Sequence, residues 1–184
     1  NAGAFAEGIG SDLPSSFFYL SLSNTVGGAI FHDGNLLPGD AFRCGEAGHM
    51  TLIPDGKPCY CGKTGCVDAY CSARLLSDLS GGRLEDFFLG LQQNNPDYRS
   101  VWDTYLKHLA VVINNLHMIL DYDIVLGGYV GSFLSPWLDT IRRLVAEHNT
   151  FEDDGSFVKL CTYQTGAAAY GAAMDVMEEF LRTV

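Results

Sequence analysis

The pattern of hydrophobic and polar positions predicts extended structure first in the chain. The segment FFYLSLS (17–23) is aromatic, β-prone and apolar enough for a buried central strand. The following AIFHDGNLLPG has the pattern of a hairpin that turns at Asp33-Gly34. We therefore predict strands over 17–23, 27–32 and 35–38, and a further extended segment over 49–53.

The rest of the chain alternates between helical and extended patterns. A first helix is predicted to end near residue 10, and further helices are predicted over 66–80, 84–93, 98–120, 133–147 and 166–182. Strands are predicted over 123–128 and 157–163. The helix over 98–120 has the clearest periodicity, because apolar residues recur at spacings of three and four. Early strands followed by alternating helices and strands predict a single α/β domain over 1–184, with a mixed sheet flanked by helices.

Composition and charge narrow the classes of function. Hydrophobic residues make up 47% of the chain and charged residues 18%, which is typical of a globular core. The net charge is −11, and the eleven basic residues form no cluster, so this chain is a poor partner for nucleic acids and anionic membranes. No apolar run approaches the length of a membrane span, and no secretory signal is evident. We therefore expect a cytoplasmic protein with reduced thiols.

The most informative stretch of the chain runs from Cys44 to Tyr70. Three of its thiols and its imidazole have the spacing of a tetrahedral Cys3His zinc site; these residues are His49, Cys59, Cys61 and Cys66. The alternative is a set of unrelated buried thiols, but the neighbours of these cysteines are Gly, Lys, Thr and Pro, which do not form a core. Four protein ligands leave no open position, so the zinc knuckle over 49–66 is predicted to be structural. The other cysteines are interpreted as packing residues.

Two carboxylates adjoin this predicted knuckle. Glu46 precedes His49 by three residues, and Asp68 follows Cys66 by two. Carboxylates beside an imidazole of fixed tautomer suit a polyhydroxylated ligand, because sugar hydroxyls need donors and acceptors in fixed places. Surface solvation or support of the metal explains the same carboxylates, and their spacing alone leaves this open.

Two glycine pairs could bring backbone N–H groups to a phosphate. Gly27-Gly28 follows a predicted strand, and Gly127-Gly128 joins a strand to a helix. Neither pair belongs to a P-loop or a G-x-G-x-x-G fingerprint, and tight turns are the commoner explanation for such pairs. A hydrolase has little support, because the chain lacks a G-x-S-x-G elbow.

Taken together, these motifs resemble those of the repressor, ORF and kinase (ROK) family of sugar kinases and sugar-responsive repressors. The resemblance rests on VGGAIFHDGNLLPGDAFRCGEAGHM (26–50), PCYCGKTGCVDAY (58–70), IVLGGYVG (124–131) and GAAAYGAAM (166–174). It implies an RNase H-like, actin-type fold, of which this chain resembles the C-terminal lobe. By position, the family's zinc ligands fall on His49, Cys59, Cys61 and Cys66, and its sugar contacts on Glu46, His49 and Asp68. The family usually has Glu at the last position, and Asp is shorter by one methylene.

Two further features of the resemblance bear on catalysis. The opening NAGAFAE resembles the end of the family's N-D-x-N-A-A-x-x-x-E segment, which places the catalytic aspartate upstream of Asn1 and leaves no catalytic residue in this chain. The first lobe is likewise expected to lie outside it. Kinases of the family usually carry G-T-G before the glycine pair, whereas this chain has Ser23-Asn24-Thr25. Side chains in place of two glycines make close phosphate approach less favourable.

The leading hypothesis is therefore the sugar-binding, zinc-containing lobe of a ROK transcriptional regulator, which binds DNA only through a region outside this chain. The alternative is the C-terminal lobe of an ATP-dependent sugar kinase, in which Gly27, Gly28, Gly127 and Gly128 line the nucleotide and Mg²⁺ accompanies the ATP. A zinc-stabilised protein-interaction domain is a third possibility. The resemblance implies a monosaccharide or sugar derivative as ligand and a homo-oligomer. Whether the chain belongs to an enzyme is left open at this point.

Overall fold

The computed structural model describes residues 1–183. Within these residues the strands are β1 (Phe17–Leu22), β2 (Val26–His32), β3 (Asn35–Leu36), β4 (Asp123–Gly127) and β5 (Val158–Leu160). The helices are α1 (Ala2–Gly10), α2 (Asp68–Cys71), α3 (Arg74–Ser77), α4 (Leu84–Gln92), α5 (Pro96–Leu120), α6 (Gly128–Gly131), α7 (Leu138–Ala146) and α8 (Ala167–Thr183). None of these helices is both long enough and apolar enough to cross a membrane.

The strands form one mixed sheet in the order β3-β2-β1-β4-β5. β1 pairs antiparallel with β2, so that Phe17 lies opposite Phe31, and parallel with β4, so that Phe17 also lies opposite Asp123. β4 continues the parallel part of the sheet with β5. The mixed α/β sheet predicted from the strand and helix pattern is confirmed, with β1 at its centre.

Side chains of β1 alternate between two cores, one on each face of the sheet. Phe18, Leu20 and Leu22 are buried in the larger core, which also contains the apolar stripe of α5. Phe17 and Tyr19 are buried in the smaller core on the opposite face, beside α1. Because residues two apart share a face of a strand, an almost wholly apolar strand is what a sheet covered on both faces requires.

The helix predicted over 98–120 is α5, and its ends are defined by local chemistry. The Asn95 side chain accepts hydrogen bonds from the N–H groups of Asp97 at 3.0 Å and Tyr98 at 3.3 Å, and Pro96 occupies the first turn. Asp121 follows the last residue of the helix and caps it, with a φ of 55° in the left-handed region. The larger core therefore depends on a helix with well-defined limits.

The first and last helices pack against each other on the face of the sheet that holds Tyr19. The carboxylate of Glu7 on α1 is fully buried and accepts a hydrogen bond from the Tyr163 N–H at 2.9 Å. The Tyr163 hydroxyl donates to the Gly10 carbonyl at 2.7 Å. On α8, a Cβ at position 171 would run into the Ala2 carbonyl, so a glycine is needed where the two helices cross.

Two predictions about local structure are wrong. The segment 49–53 is not a strand: residues 47–49 form a 3-10 turn, and only Thr51 makes an isolated bridge, to Cys66. The helix predicted over 66–80 is divided, because Ser72 is extended (φ −74°, ψ 153°) and separates α2 from α3. The residue after this break, Ala73, donates its N–H to the Ser23 carbonyl at 2.7 Å, so a tertiary hydrogen bond interrupts the helix.

Candidate functional site

A polar cleft of about 540 Å³ opens where the parallel strands β1 and β4 end. Its wall is formed by the start of α1, the end of β1, the start of β2, the β4–α6 junction and residues 164, 165, 167 and 168. Clefts at the carboxyl ends of parallel strands are the usual place for ligands in open α/β sheets. The side chains of Ser21, Ser23, Thr25 and Glu46 line this one.

The predicted nucleotide glycines do not all face the cleft. Gly27, Gly28 and Gly128 line it, whereas Gly127 lies behind the wall, where a Cβ would collide with the Tyr19 hydroxyl. A Cβ on Gly27 would meet no atom within 4 Å, so its backbone is open to the cleft. Residue 128 has φ +77°, and its Cβ would lie 2.7 Å from the Ser23 Oγ, so only glycine fits this junction.

The loop 45–49 lies directly on the backbone of β2. Gly45 has φ +86°, and a Cβ there would run into the carbonyl of Gly28. A Cβ on Gly48 would similarly collide with the carbonyl of Val26. This close approach explains the spacing of the glycines in G-E-A-G-H, and it brings the exposed carboxylate of Glu46 to the edge of the cleft.

The predicted metal ligands are brought together. One ligand atom from each of four residues lies within 4.8 Å of the others, in a group formed by His49, Cys59, Cys61 and Cys66. The Sγ atoms of Cys61 and Cys66 are 3.8 Å apart. The loop folds back on itself through hydrogen bonds from the Cys59 N–H to the Lys63 carbonyl at 2.8 Å and from the Gly62 N–H to the Cys59 carbonyl at 3.0 Å. These four residues could hold a metal ion.

The donor atoms of this cluster fit a zinc ion. Nδ1 of His49 is buried and has no hydrogen-bond partner within residues 1–183. A buried nitrogen without a partner is costly unless something binds it, and a metal would do so. Burial raises the pKa of the Cys66 thiol to about 11, while a hydrogen bond from the backbone N–H of Lys63 lowers that of Cys61. Three sulfurs and one nitrogen are a donor set that favours zinc.

Asp68, predicted to contact a sugar, occupies a position that also supports the fold. Its side chain is 6% exposed, and Oδ1 accepts a hydrogen bond from the Val26 N–H at 2.6 Å. It thereby joins the start of α2 to the start of β2. Of the three predicted sugar contacts, Glu46 lines the cleft, His49 belongs to the candidate metal cluster, and Asp68 belongs to neither group.

Tyr60 is a residue of this site that the sequence reasoning missed. Its hydroxyl lies 3.2 Å from Nε2 of His49, and the two rings meet edge to face with centroids 5.4 Å apart. Desolvation raises the pKa of Tyr60, and the negative charges of Asp68 and Glu46 raise it further. The only signal in the sequence is that Tyr60 stands between two cysteines predicted to bind a metal.

A second cavity of about 290 Å³ adjoins the cleft. The two cavities share Tyr129 and Thr165, and the second is lined by Asn24, Leu84 and Phe133 among others. Its surface is more apolar than that of the cleft. The pair therefore offers a polar compartment joined to an apolar one.

The chain is similar to sugar kinases of known sequence. It is 29% identical over 164 residues to the N-acetylmannosamine kinase of Salmonella typhi, a match that covers 85% of this chain and 55% of that protein. The chain thus spans little more than half of this relative's length.

Solved structures share the fold. The ROK family glucokinase of Streptomyces griseus, in complex with glucose and AMPPNP, superimposes with a TM-score of 0.79 at 22% identity, over 95% of this chain and 65% of that one. A ROK family transcriptional regulator homologous to the E. coli MLC protein gives 0.71 at 22% identity, over 94% of this chain and 50% of that one. The sequence model of the ROK family matches residues 1–179, and the chain belongs to that family.

Proposed function

We propose that this chain is the sugar- and zinc-binding C-terminal lobe of an ATP-dependent ROK sugar kinase. The observation that carries the proposal is that one cleft presents both an acid, Glu46, and the open backbone of Gly27. A sugar kinase needs these two kinds of surface side by side, because a sugar hydroxyl must meet a terminal phosphate. The N-acetylmannosamine kinase and glucokinase named above support the same reaction class.

The sugar would lie at the edge of the cleft nearest the metal cluster. There the Glu46 carboxylate accepts hydrogen bonds from sugar hydroxyls, and Nε2 of His49 donates one. With Nδ1 of His49 bound to the metal, the tautomer is fixed and Nε2 carries the hydrogen. Asp68 would contribute a second carboxylate from behind this pair, where the Val26 N–H already orients it.

The nucleotide phosphates would lie along the open backbone. Gly27 presents its peptide to the cleft without a side chain, and Gly128 lines the cleft after β4, where only glycine fits. Ser23 and Thr25 also line this wall, and their hydroxyls can donate to phosphate oxygens. The adjoining apolar cavity past Tyr129 has the chemistry for a nucleoside. Ser23-Asn24-Thr25 is therefore compatible with a phosphate site, and the similarity to sugar kinases favours the kinase over the regulator.

Catalysis itself would need a group from outside this chain. Deprotonation of the attacking sugar hydroxyl requires a general base within hydrogen-bond reach. By the family resemblance that base precedes Asn1, and Asn1 itself lines the cleft. This chain would then bind and orient the two substrates and exclude water, with Mg²⁺ accompanying the ATP.

Zinc would act as a structural cross-link in this proposal. His49, Cys59, Cys61 and Cys66 would hold it, and no position would remain for a reacting water. The ion would fix the loop that carries Glu46 and His49 against β2. The chemistry it supplies is charge compensation for buried thiolates.

A regulator remains the second candidate. Side chains in Ser23-Asn24-Thr25 occupy positions at which kinases of the family usually have glycines. In that case the same cleft would bind a sugar without transferring phosphate, and DNA would be bound by residues outside this chain.

Replacing Cys59 with alanine should remove the metal. In the full-length protein, Cys59→Ala should lower zinc content from one ion per chain to well below stoichiometric, as measured by plasma mass spectrometry. The melting temperature should fall by about 5–10 °C, since losing a bound ligand worth about 3 kcal/mol has that effect on a domain of this size. Cys44→Ala is the control and should keep its zinc, because this thiol lies outside the cluster. Full zinc content in Cys59→Ala would refute the ligand assignment.

Replacing Glu46 with glutamine should weaken sugar binding and leave zinc in place. Loss of one charged acceptor should raise the dissociation constant for the sugar about tenfold or more, measured by calorimetry on the full-length protein. Asp40→Asn is the control, since it makes the same change at an exposed acid that does not line the cleft. If Glu46→Gln loses zinc instead, Glu46 supports the metal loop and does not contact the sugar.

The Gly27→Ala variant distinguishes the kinase proposal from the regulator alternative. Its added methyl group would meet no protein atom within 4 Å but would project into the proposed phosphate site. AMPPNP affinity of the full-length protein, measured with Mg²⁺, should therefore fall about tenfold while the melting temperature stays unchanged. Gly166→Ala is the control, because that position is equally open and does not line the cleft. Wild-type protein that fails to bind AMPPNP, or an unaffected Gly27→Ala, would contradict the kinase proposal.

A further inference from the structure

The main chain of Tyr60 is fixed by the residues on either side, whereas its side chain is exposed. The residue lies between Cys59 and Cys61, so two of the four predicted metal ligands fix its main chain. Its side chain is 66% exposed and belongs to neither hydrophobic core of the described structure. The ring therefore contributes little to folding, and packing alone does not explain its orientation toward His49.

The hydroxyl of Tyr60 contacts Nε2 of His49, on the opposite side of the imidazole from the buried Nδ1. Nδ1 is the buried atom without a partner in the described part of the chain, whereas Nε2 lies 3.2 Å from the Tyr60 oxygen. With Nδ1 committed to a metal, Nε2 carries the hydrogen and donates it to that oxygen. This is the same N–H group that a bound sugar hydroxyl would need.

We infer that Tyr60 sets the affinity of the sugar site, because its hydroxyl occupies the His49 Nε2 donor until a sugar hydroxyl displaces it. The inference rests on the proposed sugar-binding function. The hydrogen bond between Tyr60 and His49 joins two neutral groups, and a sugar hydroxyl that displaces it must offset its net free energy. Tyr60 therefore lowers the affinity for any sugar that binds through the His49 donor.

Displacement of Tyr60 is physically easy. The edge-to-face contact with His49 and the single hydrogen bond are the contacts the structure gives its ring. The χ1 rotation of an exposed aromatic ring costs little. A sugar hydroxyl that takes the place of the Tyr60 hydroxyl meets the freed Nε2 donor of His49.

The test compares Tyr60→Phe with wild type in the full-length, zinc-loaded protein. D-glucose and N-acetylmannosamine serve as probes, and calorimetry measures both dissociation constants. Removing the competing hydroxyl should tighten binding of the sugar that wild type accepts about two- to tenfold, the range expected for one net hydrogen bond. Zinc content should remain that of wild type, since the hydroxyl is not a metal ligand.

The matched control is Tyr122→Phe. The Tyr122 hydroxyl also bonds to an imidazole, that of His32, but neither residue lines the cleft. This variant should leave sugar affinity unchanged. Unchanged or weaker binding by Tyr60→Phe, with wild-type protein still binding the sugar, would overturn the role of Tyr60 alone. Failure of both proteins to bind either sugar would overturn the proposed function and this inference together.

Discussion

The site depends on how the first residues of β2 are held. The Val26 N–H donates to Asp68 at the start of α2, and the Val26 carbonyl faces Gly48, where a side chain would collide with it. Two residues on, Gly28 and Gly45 approach each other backbone to backbone. Through these contacts a single strand positions the loop that carries Glu46 and the metal cluster beside the glycines of the cleft. Small residues are required because the close approach leaves no volume for a Cβ.

The same contacts explain which parts of the fold could be predicted from the sequence. The strand over 17–23 and the helix over 98–120 follow from local periodicity, and the structure has both. The extended segment expected over 49–53 fails because Gly48 packs on β2 and the chain turns there. The helix after Cys66 is interrupted because the Ala73 N–H bonds to the Ser23 carbonyl, a partner 50 residues away that periodicity does not reveal.

The candidate site likewise has one part that could be predicted from the sequence and another that could not. Cysteine and histidine spacing predicted the group that the fold gathers around His49, because four ligands in eighteen residues are close in any compact loop. Long-range partners were not predictable: neither the hydrogen bond of Asp68 to Val26 nor the contact of Tyr60 with His49 leaves a pattern in the sequence. The four glycines were predicted as a set, but only their placement on the sheet separates Gly127 from the three that line the cleft.

We propose that the cleft brings a sugar hydroxyl to the terminal phosphate of a nucleotide. The direct measurement is a coupled assay of ADP release by the full-length protein, with MgATP and a series of hexoses and N-acetylhexosamines. We expect sugar-dependent ADP release at a kcat on the order of 1–100 s⁻¹ for at least one sugar, as is typical of kinases. A zinc-loaded, folded protein that binds a sugar by calorimetry but releases no ADP with any of them would contradict the claim and favour the regulator.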